Sequence, residues 1–231
     1  MNLYLTICCA VVAQFASGCT ENEQTATQNY SANSQVIWRL DNLDTIDGNR
    51  LTVVGDPKVI ETANGKAIEF DGVDDGLILD VHPLAGMTAF TVEVVFSPYE
   101  DGAAEQRFFH MQENSSDERV MFETRLVGNK QWFLDTFINS NGQKVPLYAI
   151  DNKHDTGSWY HAAIVVDGVT FKHYVNGQME LSEALQFETQ QPGKTSLGVR
   201  LNQVNWFKGA IRTIRFTPWT LAPEEFLAAG S

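Results

Sequence analysis

Three charged side chains, Glu123, Arg125 and Asp135, fall within two neighbouring runs of strand-forming residues. Because side chains alternate between the two faces of a strand, Glu123 and Arg125 share one face of their run, and Phe122 and Leu126 share the other. Carboxylates and a guanidinium on one exposed sheet face can bind sugar hydroxyls through charge-assisted hydrogen bonds. The alternative is an ordinary ion-paired outer sheet with no ligand. The pattern leaves both interpretations open.

A second group of recognition-type residues follows near the C-terminus, where Arg200, Asn202 and Trp206 occupy one short loop-like stretch. Amides suit pairs of hydroxyls, and an aromatic ring suits the apolar C–H face of a sugar. A core position is the alternative for Trp206, because Phe207 follows it directly. If Arg200 and Arg125 share a face, they would suit a carboxylated or sulfated polysaccharide.

Side chains of the types used in polysaccharide elimination are also present. His161 and Tyr174 are candidate bases, Arg125 could neutralise a uronate carboxylate, and Glu123 is a further catalytic candidate. A lyase is favoured over a glycoside hydrolase because no strand carries the closely spaced acids that flank a glycosidic bond. His161 also has a purely structural interpretation, and convergence of these groups does not follow from the sequence.

Two further basic residues, Arg107 and His110, are three positions apart in a predicted strand. At that spacing they fall on opposite faces, so they can point into one site only if a β-bulge intervenes. Motifs for phosphate binding, a nucleophile elbow or a zinc-binding His-Glu-x-x-His do not occur.

Strands must position all of these residues. From residue 36 onward, about a dozen short runs of alternating, aromatic or β-branched residues recur, bounded by Gly, Asn, Asp and Pro. Asp167–Gly168 and Asn176–Gly177 are strong hairpin signals. Helical periodicity is limited to Leu221–Leu227, where a proline and two acids favour one short helix. The pattern predicts a single all-β domain over residues 36–231, an antiparallel sandwich with one short C-terminal helix.

The N-terminal segment has a different character. Residues 1–18 are uncharged and include an apolar run too short to span a bilayer, which is typical of a signal sequence. The small residues before Cys19 resemble the lipobox of bacterial lipoproteins and predict that Cys19 is lipidated. Residues 19–35 are polar and predict a flexible tether. We therefore expect a bacterial cell-envelope protein on the outer membrane or in the periplasm, attached to the membrane only by lipid; a secreted protein is the alternative.

Charge and cysteine content exclude several functions. The 231 residues carry 29 acidic and 16 basic side chains, a formal charge of −13, which disfavours nucleic acid and anionic lipid as partners. The three cysteines, Cys8, Cys9 and Cys19, all lie in the predicted signal and anchor. The folded domain therefore has no disulfide or thiol nucleophile, and its stability must come from its core.

Several segments, taken in order, resemble the laminin G-like, concanavalin A-like jelly-roll family over about residues 36–226. They are Phe70–Asp75, Phe90–Phe96, Trp159–His161 with its Asp167–Gly168 hairpin, Tyr174–Gly177 and Phe207–Ile211. The resemblance implies two antiparallel sheets with a concave face and a rim of loops. The family includes carbohydrate-binding modules, adhesion domains, glycoside hydrolases and polysaccharide lyases.

The resemblance also implies a calcium ion held by acids of the Phe70–Asp75 turn, here Asp71, Asp74 and Asp75. A later family aspartate is replaced by Arg212, which would remove one ligand and add repulsion. Aspartate and glycine also suit a tight turn that holds no metal. Calcium binding is therefore left open.

Fold alone does not choose a function within such a family. The leading hypothesis is a surface-anchored carbohydrate-binding or adhesion lipoprotein that recognises a polysaccharide. The second is a small secreted polysaccharide-degrading enzyme, a lyase rather than a hydrolase, and the third is a structural envelope protein with no glycan ligand.

Overall fold

The computed structural model describes residue 30 and residues 34–230. The predicted signal sequence, Cys19 and most of the tether lie outside these residues. The strands, in chain order, are β1 (Val36–Arg39), β2 (Thr45–Ile46), β3 (Asn49–Arg50), β4 (Thr52–Val54), β5 (Lys58–Thr62), β6 (Gly65–Asp71), β7 (Gly76–Leu79), β8 (Phe90–Pro98), β9 (Glu105–Glu113), β10 (Arg119–Val127), β11 (Gln131–Ser140), β12 (Gln143–Tyr148), β13 (His154–Asp155), β14 (Tyr160–Val166), β15 (Thr170–Val175), β16 (Gln178–Ala184), β17 (Gly193–Leu197) and β18 (Lys208–Thr217).

Two large antiparallel sheets form a sandwich. Sheet 1 has the order β16-β15-β14-β8-β18-β6-β5, with β1 also paired to β18. Sheet 2 has the order β12-β11-β10-β9-β17-β7-β4, with β13 also paired to β11. Neighbours such as β8 and β18 are far apart in sequence, as jelly-roll connections require. The prediction of an all-β jelly-roll sandwich is confirmed.

Aromatic side chains from both sheets meet in the core between them. The Phe96 ring of β8 stacks on the Phe108 ring of β9, with centroids 4.3 Å apart and planes 11° apart. Trp132 contacts Phe96 edge-on at 5.3 Å, and Phe207 lies 5.6 Å from Phe108. Each of these rings is fully buried and stabilises the fold by about 2–3 kcal/mol. Phe207 also anchors the end of the loop that precedes it.

Turn residues account for the hairpins between neighbouring strands. Asn141–Gly142 joins β11 to β12 and Asn176–Gly177 joins β15 to β16, and all four residues have positive φ. That conformation matches the twist of a two-residue hairpin. The loop at Asp167 is one residue longer than predicted, and the Asp167 carboxylate closes it by accepting the N–H groups of Val169 and Thr170.

The predicted C-terminal helix is a single 3₁₀ turn, Pro223–Glu225. The Glu225 carboxylate accepts the N–H of Ala222 at 2.9 Å and closes this turn. After this turn the chain crosses the outer face of sheet 1, where the Phe226 ring packs against the Tyr174 ring. Within the described residues, no helix has the length and apolar character needed to cross a bilayer.

Candidate functional site

The outer face of sheet 2 collects polar side chains from three central strands, β9, β10 and β11; we call it the polar face. Strand register sets them in four rows: Glu105, Arg125 and Phe133; Arg107, Glu123 and Asp135; His110, Met121 and Phe137; and Gln112, Arg119 and Asn139.

A β-bulge in β9 makes this arrangement possible. Phe122 pairs with Phe109 but Glu123 pairs with Arg107, so Phe108 is the extra residue. Phe108 and Phe109 both enter the core, which returns Arg107 to the same face as His110. The bulge therefore unites two residues that simple alternation would separate.

Arg125 is the centre of a charge network on the polar face. Its Nε donates to Asp135 Oδ2 at 2.7 Å and its Nη2 to Glu123 Oε2 at 3.1 Å, and a third ion pair joins it to Glu105. Arg107 Nη2 lies 3.0 Å from the same Glu123 oxygen. Arg125 also lies over the exposed Tyr148 ring, 5.3 Å from its centroid. The prediction that Glu123, Arg125 and Asp135 share one face is confirmed. The expectation that they are exposed there is wrong, because Glu123 and Asp135 are buried.

The Glu123–Asp135 carboxyl pair is almost fully buried, at 2% and 1% exposure. Burial, with the neighbouring Asp135 carboxylate, raises the pKa of Glu123 to about 7, and burial also raises the pKa of Asp135. The two groups are close enough to hydrogen-bond each other. Carboxyls that cleave glycosidic bonds stand at least about 5 Å apart, so this pair does not have glycosidase geometry.

The loop formed by residues 200–206 lies against the polar face. Its Leu201 N–H donates to His110 Nδ1 at 3.1 Å, and the backbone N–H of Arg107 donates to the Asn205 carbonyl at 2.9 Å. Gln203 and Asn205 hold φ angles of 57° and 60°, a left-handed conformation uncommon outside glycine. The buried Phe207 fixes one end of the loop.

The candidate residues of this loop are at least partly accessible to solvent. Arg200 is half-buried, and its guanidinium makes no ion pair or hydrogen bond within the part of the chain that the structure describes. Burial and the positive charges of Arg119 and Arg107 lower its pKa. Asn202 is exposed and Trp206 is half-buried. Arg200 thus lies on the same side of sheet 2 as Arg125, although Arg119 and Arg107 are its main charged neighbours.

The two proposed base candidates lie elsewhere. His161 of β14 and Tyr174 of β15 are on the outer face of sheet 1, where both contact the Phe226 ring. His161 is buried, and its Nε2 lies 2.9 Å from Glu93 Oε1. Because sheet 1 and sheet 2 face opposite ways, neither residue meets Arg125. The arrangement of base and neutralising group that a lyase would need is not formed by these residues.

The Glu93 carboxylate accepts three hydrogen bonds. Besides His161, its carboxylate accepts the N–H of Leu227 at 2.7 Å and a bond from the Nε of Arg215. Burial acts to raise its pKa, but the hydrogen bonds from His161 and Arg215 prevail and lower it. His161 therefore belongs to a structural network on sheet 1, although its Nδ1 has no partner among the described residues.

The acidic turn holds three carboxylates whose oxygens lie within 4.8 Å of one another, from Asp71, Asp74 and Asp75. Asp75 accepts the N–H groups of Asp56 at 2.7 Å and Asp71 at 3.1 Å. Asp71 accepts the N–H of Val73 at 2.7 Å, so two of the carboxylates already close the turn. Oxygens of this type and number fit calcium, and carboxylates retain further lone pairs for it.

Arg212 does not face this turn, which corrects the expectation that it would repel an ion there. It sits at a bulge in β18, with its guanidinium 4.7 Å from the Trp159 ring centroid and its Nη2 donating to the Ala229 carbonyl at 2.7 Å. The residue of β18 that pairs with Asp71 is Lys208, four positions earlier.

Two clefts lie along the loop rim beside the turn. One, of about 740 Å³, is lined by Tyr99, Lys130 and Asp155 among others, and its neighbour, of about 470 Å³, includes the three aspartates. Tyr99 and Lys208 line both clefts. This rim is the alternative location for a ligand.

Comparison with known proteins identifies a family over most of the chain. Residues 71–225 match the model of the concanavalin A-like lectin/glucanases superfamily. No curated protein matches the chain by sequence.

Solved structures of several kinds share the fold. Domain 4 of AbnA, an extracellular arabinanase from Geobacillus stearothermophilus solved in complex with arabinotriose, has 19% identity and a TM-score of 0.64, covering 82% of this chain and 94% of that one. The binding domain of Paraclostridial Mosquitocidal Protein 1 has 14% identity and a TM-score of 0.61, with 83% and 50% coverage. The SAP-like pentraxin of Limulus polyphemus has 15% identity and a TM-score of 0.54, with 69% and 78% coverage. At these identities the likeness shows the fold alone.

Proposed function

Because the chain belongs to the concanavalin A-like lectin/glucanase superfamily, we propose that it is a glycan-binding domain whose binding surface is the polar face of sheet 2. The observation that carries this proposal is that the loop of residues 200–206, which contains Arg200 and Trp206, lies against the face that carries Arg125. The Arg200 guanidinium is unpaired among the described residues. The arabinanase domain of the same fold was solved in complex with arabinotriose, which supports a sugar as the ligand class.

The chemistry of this surface suits a chain of sugars. The buried Glu123 and Asp135 fix the orientation of Arg125 through hydrogen bonds of 2.7–3.1 Å. The partly exposed Arg125 guanidinium and the exposed Glu105 carboxylate paired with it are therefore preorganised for sugar hydroxyls. The exposed Tyr148 ring and the half-buried Trp206 supply apolar surface for the C–H face of a pyranose.

A purely structural role explains this surface less well. Burying ion pairs seldom stabilises a fold more than apolar packing would, because desolvation offsets the attraction. Glu105, Glu123 and Asp135 nevertheless converge on Arg125. Ligand binding therefore explains this charge cluster better than a contribution to stability does.

A glycan array probed with the full mature protein tests the proposal. Trp206→Ala should weaken binding roughly three- to tenfold, the usual contribution of one aromatic stacking contact. Trp219→Ala, which removes an exposed indole elsewhere, is the matched control and should bind as the wild type does. Absence of binding to every glycan, or equal losses in the two variants, would count against the proposal.

The membrane anchor is a separate proposal. Lipidation of Cys19 would hold the domain at a bacterial membrane surface, where a polysaccharide-binding face could engage envelope or environmental glycans. Metabolic labelling with a palmitate analogue should mark the wild type and leave Cys19→Ala unlabelled. Labelling of the variant would contradict the anchor.

Calcium binding also remains a proposal, with Asp71, Asp74 and Asp75 as its ligands. The ion would supply charge neutralisation to a turn that now holds three carboxylates. Calorimetric titration of the EDTA-treated protein with calcium chloride should give a binding isotherm. Asp74→Asn should abolish it and the exposed Asp44→Asn should not, whereas heats equal to those of dilution in the wild type would refute it.

A further inference from the structure

Three buried N–H donors of the polar face have no acceptor. They are His110 Nε2, Arg107 Nε and Arg119 Nε, none of which has a hydrogen-bond partner in the described part of the chain. A buried donor left unpaired is unfavourable, because it gives up its hydrogen bond to water and gains none in the fold. Three such donors on adjacent strands, beside the unpaired Arg200 guanidinium, are a concentration that a settled structural network would avoid.

The protonation state of the His110 ring makes its Nε2 one of these unpaired donors. Its Nδ1 accepts the N–H of Leu201 at 3.1 Å, which assigns the proton of the neutral ring to Nε2. Burial and the charges of Arg200, Arg119 and Arg107 lower the pKa of His110 to about 3. The imidazole is therefore neutral at physiological pH, and its Nε2 is a fixed donor.

Nearby acids do not satisfy these groups. Arg107 uses its two Nη atoms on Glu105 and Glu123, and Arg119 uses Nη1 on Asp117, so that each Nε stays unpaired. The polar face is therefore divided. Its carboxyl groups lie around Arg125, and unpaired N–H donors and positive charge lie around Arg200.

We propose that the donors around Arg200 form an oxyanion subsite, which holds the carboxylate or sulfate group of an acidic glycan. An oxyanion is acceptor-only and can take several N–H bonds at once, and a guanidinium fork matches its geometry. Arg200 supplies the fork at the surface, and the buried, unpaired N–H groups of His110, Arg107 and Arg119 belong to the same positively charged part of the polar face. The subsite rests on the proposed function, since the acidic group belongs to a glycan bound along the polar face. It gives a chain with a formal charge of −13 an anionic ligand.

Matched polysaccharides that differ only in charge provide the test. Polygalacturonate is compared with its carboxyl-reduced form, and a sulfated galactan with its desulfated form, by affinity electrophoresis of the full mature protein. EDTA is present throughout, so that calcium at the Asp71–Asp75 turn cannot bridge to an acidic sugar. The variants are Arg200→Ala and, as the control for net charge, Arg50→Ala at an exposed position on β3.

We expect one acidic member to be retained and its neutral counterpart to be retained at least about tenfold less, because charge-assisted hydrogen bonds are lost. Arg200→Ala should remove this preference and Arg50→Ala should preserve it. The pair that shows the preference identifies carboxylate or sulfate as the anion.

Equal retention of charged and neutral members would overturn the oxyanion subsite while leaving glycan binding intact. A charge preference that survives in Arg200→Ala would also overturn it. Failure to retain any polysaccharide, together with an empty glycan array, would refute the proposed function as well.

Discussion

Each sheet of the sandwich carries a buried glutamate near the centre of its outer face, and the two glutamates have opposite surroundings. Glu93 in sheet 1 accepts bonds from His161, Arg215 and the backbone of Leu227, and its pKa is lowered. Glu123 in sheet 2 lies against a second carboxyl group, and its pKa is raised to about 7. Both glutamates have arginine partners, so ion pairing alone does not distinguish them.

The difference lies in what covers each face. The C-terminal segment crosses sheet 1 and covers Glu93, whose carboxylate accepts hydrogen bonds from His161, Arg215 and Leu227. His161 Nδ1 is left without a partner among the described residues. Around Glu123, donors and acceptors are unbalanced, with two carboxyls on one side and unpaired N–H groups on the other. Removing one partner of a fully paired buried charge is costly, whereas a cluster with unpaired donors and a raised carboxyl pKa is a candidate functional site.

Removing the charge at Glu93 should have the largest effect on stability. Glu93→Gln leaves Arg215 without its anionic partner, and we expect a loss of about 3–5 kcal/mol in the free energy of unfolding. Glu123→Gln should cost no more than about 1 kcal/mol, because the wild-type group is already partly protonated near pH 7. Urea unfolding of both variants measures the contrast, and equal losses would remove the distinction between the two faces.

The pH dependence of stability should differ in sign between the two glutamates. The pKa of Glu123 rises from 4.5 to about 7 on folding, so the folded state binds the proton more tightly. That contribution is present at low pH and is lost as pH rises through 7, by on the order of 2 kcal/mol between pH 5 and 8. The lowered pKa of Glu93 gives a contribution that is instead lost as pH falls. Urea unfolding across pH should show the alkaline loss reduced in Glu123→Gln; an unchanged profile in that variant would contradict the assignment.

Uncovering sheet 1 should have a smaller effect. Phe226→Ala removes a half-buried ring from Tyr174 and His161, which should cost about 1–2 kcal/mol and leave glycan binding unchanged. Thermal unfolding and array binding measure the two quantities. A loss of glycan binding in this variant would indicate that the covered face takes part in recognition.

Strand periodicity was sufficient to group Glu123, Arg125 and Asp135, because alternation fixes which side chains share a face. It was not sufficient for Arg107 and His110, which share a face only through the bulge at Phe108. A bulge depends on how Phe108 and Phe109 both fit the core, and that is a property of tertiary packing.

For His161 and Tyr174, the sequence suggested a catalytic role that their positions in the fold do not support. Their residue types suit catalysis, but the sequence does not reveal which sheet they join or that Phe226 covers them. Composition singled out the Arg200–Trp206 loop as a candidate, but its position against the polar face depends on contacts with His110 and Arg107 across about ninety residues of chain. Long-range contacts of this kind carry no local signal.

A glycan bound to the polar face of sheet 2 would lie beside several arginines, so NMR of the arginine side chains can locate it. The ¹⁵N-labelled protein would be titrated with an oligosaccharide fragment of the best glycan on the array, while the Nε–H resonances are followed. We expect shifts for Arg200, Arg107 and Arg125 and none for Arg215, which is bound to Glu93. Unchanged resonances for those three arginines, with backbone shifts gathered at the Tyr99 and Lys208 rim or around Arg215, would contradict binding at the polar face.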